Sequence, residues 1–378
     1  MKRKPALMNL PYSCRLAALA AVGALVSGGC ANPTSVWGHG GGPRATQVPS
    51  RIELVIPLSP GGGTDTWARF VSPKLSEFLP NRPTFTPIND EGGEGIPATN
   101  AFVRDGVTDG SEVLVATTSS LFQFMLGRRG VEFDFTQMRP LVVSGAGAAF
   151  YVSKDSGVRT AQDLKQSRGT TLTYGAMSPT GSDLANLLAF NLLDLDVDVT
   201  FGFEGRGPAL LAFQRGELNS DVSTTSTFQR EVQPMVDAEK VLPLWSMGAV
   251  EEGRLVRDPA LPDLPTPAEV YEQMYGAPPS GPAFDAYVAA VAAGLTYQKG
   301  LWVNGGTSDE IVNAFGRATE DLAAAPGFAA ESAAVLGGYP LYPGSDHEEE
   351  IKAALTLTPE VREYIAKVLA DKYNAEVN

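Results

Sequence analysis

Short apolar runs alternate with stretches in which apolar residues fall three or four positions apart, and this alternation continues from residue 51 through the middle of the chain. Residues 52–58 read as a strand. Trp67, Phe70, Val71, Leu75 and Phe78 then mark one face of a helix, which Pro73 should interrupt and kink. A strand over 84–88, a glycine-rich turn at 91–95 and an apolar run at 112–116 follow. The pattern restarts after Tyr151, with a helix over 160–168, a strand over 171–177, and a turn leading to a helix with Leu184, Leu187 and Leu188 inward. Residues 198–216 repeat the theme, with Pro208 near the first helical position. Strands alternating with helices predict an α/β fold built on parallel sheets.

The connections carry the chemistry. Residues 59–65 run Ser-Pro-Gly-Gly-Gly-Thr-Asp between a strand and a helix, which aims unpaired N–H groups and the positive end of a helix dipole at one point. Comparable Gly, Ser and Thr turns stand at 117–120, 178–182 and 205–207. Each alone is ordinary helix capping. In open parallel sheets such turns lie beyond the carboxyl ends of the strands, so four in register predict one anion-binding cleft between two lobes.

The first 29 residues resemble an export signal: Lys2, Arg3, Lys4 and Arg15 precede or flank an apolar run over 16–26, and small residues lead to Cys30. Cys14 lies inside that leader. Cys30 would be the sole cysteine after cleavage, which suits lipid attachment, with a soluble export signal as the alternative. Residues 30–50 are rich in Gly, Pro, Ser and Thr and predict a flexible tether. The formal charge of −14, or −18 without the four leader cations, argues against nucleic acid or an anionic bilayer as a partner. The two histidines, His39 and His347, stand beside no candidate nucleophile, and no GxSxG, HExxH, CxxC or P-loop motif occurs. Hydrolase, zinc-enzyme and P-loop chemistry are therefore disfavoured, and no cofactor or metal is expected.

The Pro-Gly-Gly-Gly-Thr-Asp turn at 60–65, YGAMSPTGS at 174–182, FEGRGPALLAFQRGEL at 203–218 and LPDLPTPAEV at 261–270 together resemble the periplasmic substrate-binding receptors of tripartite tricarboxylate transporters, the Bug proteins. The resemblance spans about 51–344 and is most specific at the first and last of these motifs. It implies a two-lobed Venus-flytrap fold whose cleft closes on a small carboxylate and delivers it to membrane permease subunits. Carried onto matching positions, it implies that Ser59, Gly61, Gly62, Gly63, Thr64 and Asp65 form a first cradle with Thr117, Thr118 and Ser119 beside it. Ser178, Gly181 and Ser182, with Gly205, Arg206, Gly207 and Pro208, would face them, and Thr224 and Thr225 would complete the site. Asp65 is expected to cap its helix, because a carboxylate would repel the ligand's own.

The family's arginine-bearing turn is replaced here by Asn-Asp-Glu-Gly-Gly-Glu-Gly at 89–95. Glu91 and Glu94 either point to solvent or enter the cleft, where they would disfavour a multiply charged anion. Arg206 either reaches the ligand or lies on the surface. Trp67, Phe122, Phe124 and Trp245 either flank an apolar ligand body or belong to the core. We expect a first lobe from 51–148 and 246–378, an inserted second lobe from 149–245, hinges at Gly145, Gly147 and Gly248, and a monomer. Residues 281–315 depart from the family and suggest an added helix near the cleft mouth or a permease contact. The competing function classes are an enzyme or binding protein using the glycine turn as a phosphate or nucleotide cradle, and a structural cell-surface lipoprotein.

Overall fold

The structure, a computed structural model, describes residues 48–166 and 172–377. The leader at 1–29, Cys30 and the tether as far as residue 47 lie outside the described residues. The described residues belong to one compact unit.

Four strands come first: β1 (Arg51–Ile56), β2 (Thr84–Asn89), β3 (Glu112–Ala116) and β4 (Met138–Ser144). The chain then crosses to a second sheet and lays down β5 (Ala148–Ser153), β6 (Leu172–Ala176), β7 (Val197–Phe201), β8 (Ser220–Thr224) and β9 (Val241–Ser246). A short hairpin of β10 (Ala249–Glu251) and β11 (Arg254–Val256) follows, and two helices later the chain returns as β12 (Lys299–Asn304) and ends its first sheet with β13 (Leu341–Pro343).

Both sheets share one order. The first runs β2-β1-β3-β12-β4-β13 and the second β7-β6-β8-β5-β9. In each, the strand that arrives from the other sheet sits between the third and fourth strands and is antiparallel to both. The arriving strand therefore begins at the edge where its antiparallel neighbours end. Gly300 pairs with Ala116, so Lys299 lies beside the end of β3, and Ala148 pairs with Thr224 in the same way. All the strand-to-helix turns of interest lie at these two edges.

Alternation explains the edge of the first sheet: Ile52, Leu54 and Ile56 are buried while Arg51 and Glu53 are exposed. Against it lies the helix Gly63–Ser76, whose Trp67, Ala68, Val71 and Leu75 are buried. The expected interruption at Pro73 does not occur, since the helix runs through to Ser76. Pro73 and Arg69 both lie on the exposed face, where water can satisfy the carbonyl that loses its N–H partner. Phe78 falls beyond the helix end and is exposed, contrary to its expected place on the inward face.

The second sheet packs around Phe150, which stacks on Trp245 at 4.2 Å and meets Phe190 edge-on at 5.2 Å. Helix Leu184–Leu192 is buried there along Leu184, Leu187 and Leu188, as its periodicity predicts. Helix Pro282–Val291, in the stretch that departs from the family pattern, packs against Leu184–Leu192, and the C-terminal helix Pro359–Tyr373 contacts both. Trp67, Phe122 and Trp245 are core residues, fully buried, and Phe124 is half-buried beside Phe135. Among the described residues no helix is long and apolar enough to cross a membrane.

Candidate ligand-binding site

The glycine turn after β1 opens helix Gly63–Ser76 with Gly62 as the residue before its first turn, and no side chain caps it there. The cap comes from inside. Asp65 is buried, and its Oδ2 accepts the Gly61 N–H at 2.9 Å while Oδ1 accepts from Arg69 Nε at 2.8 Å and Asn89 Nδ2 at 3.0 Å. Burial works against the charged form, but these hydrogen bonds and Arg69 outweigh it and hold the carboxyl below its usual range. Asp65 thus rigidifies the cradle and takes one of its donors, Gly61 N–H. Gly62 and Gly63 are exposed, and Thr64 is half-buried.

Lys299, the first residue of β12, approaches this turn closely: a Cβ added to Gly63 would stand 3.9 Å from its Nζ. Its ammonium finds no hydrogen-bond or ion-pair partner among the described residues, and burial alone pulls its pKa down to about 8. A half-buried cation beside a helix N-terminus is a strong point of attraction for an anion. The sequence reading did not single it out, because its position depends on the return strand being inserted antiparallel beside β3.

The turn after β3 is a capping box. Thr117 Oγ1 accepts the Ser120 N–H at 3.0 Å and Ser120 Oγ accepts the Thr117 N–H at 3.0 Å, so both are engaged in starting helix Thr118–Leu126. Thr118 Oγ1 donates to Gly294 O at 3.2 Å. Ser119 is different: its hydroxyl faces the second lobe, 3.4 Å from where a Cβ on Gly181 would stand.

On the second lobe, Ser178 and Gly181 meet this group while Ser182 Oγ is buried with no partner among the described residues. A buried hydroxyl without a partner costs about 1–3 kcal/mol, which a ligand oxygen would recover. Gly205, at the N-terminus of helix Arg206–Gln214, has φ +151°, and Gly207 and Pro208 are exposed on its first turn.

Arg206 takes neither expected position. It points into its own lobe, where Nη1 donates to Gly175 O at 2.8 Å and Asp183 Oδ1 at 3.0 Å, Nη2 donates to Asp221 and to Val222 O, and Nε donates to Val222 O at 3.3 Å. The guanidinium also lies 5.2 Å from the Tyr174 ring centroid. Asp183 fixes the Ser178–Ser182 turn by accepting from Met177 N at 2.8 Å and Tyr174 Oη at 2.5 Å. Arg206 therefore braces the turn and has no N–H group left for a ligand.

Thr224 Oγ1 bonds Thr227 Oγ1 at 3.2 Å, and Thr225 sits in a different cluster at the crossing between lobes. There Thr225 Oγ1 lies 3.2 Å from Asp258 Oδ2 and 3.3 Å from Tyr339 Oη, which itself donates to Asp258. Gly147 is wedged against them, since a Cβ there would fall 1.8 Å from Asp258 Oδ2.

Glu94 enters the cleft and joins the lobes. Its Oε2 accepts from Ser178 Oγ at 2.7 Å and its Oε1 from Arg128 Nη1 at 2.7 Å, while the same Nη1 reaches Thr180 Oγ1 at 2.9 Å. Glu91 is exposed and accepts from Ser59 Oγ. The structure thus separates the two glutamates that sequence reading treated together. No group of metal-binding side chains occurs among the described residues.

The fold is that of the two-lobed periplasmic binding proteins, and comparison with solved structures shows it across most of the chain. The periplasmic binding protein BugD is 19% identical at a TM-score of 0.60, covering 87% of this chain and 99% of that one. Rpa4515 of R. palustris, solved with adipate, is 21% identical at 0.62, covering 85% and 98%. MatC of Rhodopseudomonas palustris, solved with malate, is 20% identical at 0.59, covering 85% and 99%. No protein-family model and no curated protein matches the sequence.

Proposed function

We propose that this chain is an extracytoplasmic solute receptor of the Bug type, a binder and not an enzyme, that captures a small organic acid and hands it to the membrane subunits of a tripartite tricarboxylate-type transporter. The observation that carries this reading is the Lys299 ammonium, without a partner among the described residues, beside the N-terminal turn of helix Gly63–Ser76, with Ser119 after β3 on the same sheet and the unpartnered Ser182 hydroxyl after β6 on the other. A charged contact contributes about 1.5–3 kcal/mol and each neutral hydrogen bond about 0.5–1.5, so micromolar affinity, about 8 kcal/mol, requires several turns to contribute together. The fold it shares with receptors solved with malate and adipate supports the same ligand class. Export by the leader, anchoring through a lipid on Cys30 and a monomeric state complete the proposal.

The test is calorimetric titration of the protein with mono-, di- and tricarboxylates, sugar phosphates and nucleotides. Saturable binding of an acid that is lost in Lys299→Met supports the receptor. Binding of a phosphate ester with turnover, and of no acid, overturns it in favour of a phosphate cradle.

A further inference from the structure

The turn after β2 is unusual in its backbone. Gly92, Gly93, Glu94 and Gly95 have φ of +118°, +54°, +55° and +84°, so four successive residues lie in the region that favours glycine, and Glu94 is the one with a side chain. The turn is also pinned: a Cβ on Gly95 would lie 2.8 Å from Pro57 O, and Thr99 Oγ1 donates to Gly95 O at 2.8 Å. A chain that places its single side chain in a left-handed, tightly packed turn aims that side chain.

What it aims at is the donor set of the second lobe. Glu94 Oε2 accepts from Ser178 and lies 3.1 Å from where a Cβ on Gly181 would stand, near Ser119 Oγ on the same glycine face. Its other oxygen takes Arg128, which also donates to Thr180. Gln123 Nε2 approaches Glu94 at 3.4 Å, and its Oε1 is buried with no partner among the described residues. At the mouth of the cleft, Glu91 occupies Ser59 in the same manner. Two of the hydroxyls that the sequence offers an incoming anion, Ser59 and Ser178, one per lobe, thus already donate to carboxylates of the chain.

Resting on the receptor reading above, we propose that Glu94 is the specificity-determining residue of the cleft: it supplies one carboxylate from the protein itself, so the ligand is an acid with a single carboxylate and a hydroxyl or apolar far end. The ligand's carboxylate goes to Lys299 and the free N–H groups of the glycine turn. A second carboxylate at the far end would face the half-buried Glu94 carboxylate, to which Ser178 already donates and with which Thr180 shares Arg128 Nη1.

The experiment is titration of the full-length protein, and of Glu94→Gln and Glu94→Gly, with straight-chain monoacids, their ω-hydroxy derivatives and the diacids of equal length from four to six carbons. The glycine variant keeps the left-handed turn without strain, so a folding defect in one variant leaves the other informative. We expect the unaltered protein to bind a monoacid or hydroxy acid at least about tenfold more tightly than the matched diacid, and both variants to reduce that ratio by about tenfold or more. Equal or tighter binding of diacids by the unaltered protein, or a ratio unchanged in both variants, overturns the role of Glu94 and leaves the receptor standing. Failure of every acid to bind the unaltered protein overturns the receptor reading and this inference together.

Discussion

Lys299 Nζ stands 3.9 Å from the point a Gly63 side chain would occupy, with no counter-charge of its own among the described residues. Replacing it by methionine keeps the length of the side chain and removes the charge. Lys299→Met should lower carboxylate affinity by about ten- to a hundredfold, the value of a charged hydrogen bond, in calorimetric titration. It should also stabilise the ligand-free protein at pH 7, on the order of 2 kcal/mol in urea denaturation, because a half-buried ammonium with no partner among the described residues no longer has to be desolvated.

The same residue sets a pH dependence. With its pKa lowered to about 8 by burial, the folded protein sheds this proton before the unfolded chain does. Ligand-free stability should therefore rise with pH between about 8 and 10, where the unfolded chain still holds the proton. Acid affinity should be flat below pH 7 and fall by up to about tenfold per unit above 8. Both trends should be absent from Lys299→Met.

Arg206→Ala should act on the fold. It leaves the buried Asp183 and Asp221 carboxylates without their cation, and one-sided removal of a buried ion pair costs about 3–5 kcal/mol. Differential scanning calorimetry should show a fall in Tm of several degrees or more. A variant that kept its Tm but lost ligand affinity would contradict the bracing role.

Gly147→Ala tests the crossing between lobes. The added methyl would collide with the Asp258 carboxylate and Tyr339 hydroxyl at 1.8 and 2.1 Å, so the strap must shift. We expect a loss of about 1–3 kcal/mol and a changed radius of gyration in small-angle scattering. An unaffected protein would show that the crossing is slack.

Asp65→Asn weakens the interaction with Arg69 and with Gly61 N–H, and about 1–2 kcal/mol of stability should go with it at pH 7. Because the folded pKa of Asp65 is lowered, its contribution is present above the unfolded value and lost as pH falls through the folded one. Acid titration of stability should consequently be shallower in the variant.

The sequence predicted the alternation of strands and helices and the strand-to-helix turns at 59–65, 117–120, 178–182 and 205–207, since periodicity and Gly, Ser and Thr punctuation are local signals; the turn between β12 and helix Asp309–Ala324 was not among them. It also anticipated Asp65 as a cap, because repulsion of a ligand carboxylate follows from charge alone. Arg206 was harder to read, because its partners Asp183 and Asp221 lie on two other elements and nothing at position 206 announces them. Lys299 was missed for a related reason: it becomes part of the edge once β12 is inserted antiparallel to β3 and β4. The two glutamates could not be separated in advance, because their difference lies in the φ of a turn in which glycine permits every choice.

The insertion of a returning strand in each sheet has a mechanical side. β12 is the segment by which the chain re-enters its first sheet, and its first residue is Lys299, the cation proposed above for the ligand. On the outward crossing, Gly145 packs against Thr296 O, three residues before Lys299, and Gly147 against the Asp258–Tyr339 pair. On the receptor reading, the cation proposed for the ligand would be joined by three residues of chain to the carbonyl on which Gly145 rests, so a pull on Lys299 would act on the crossing directly.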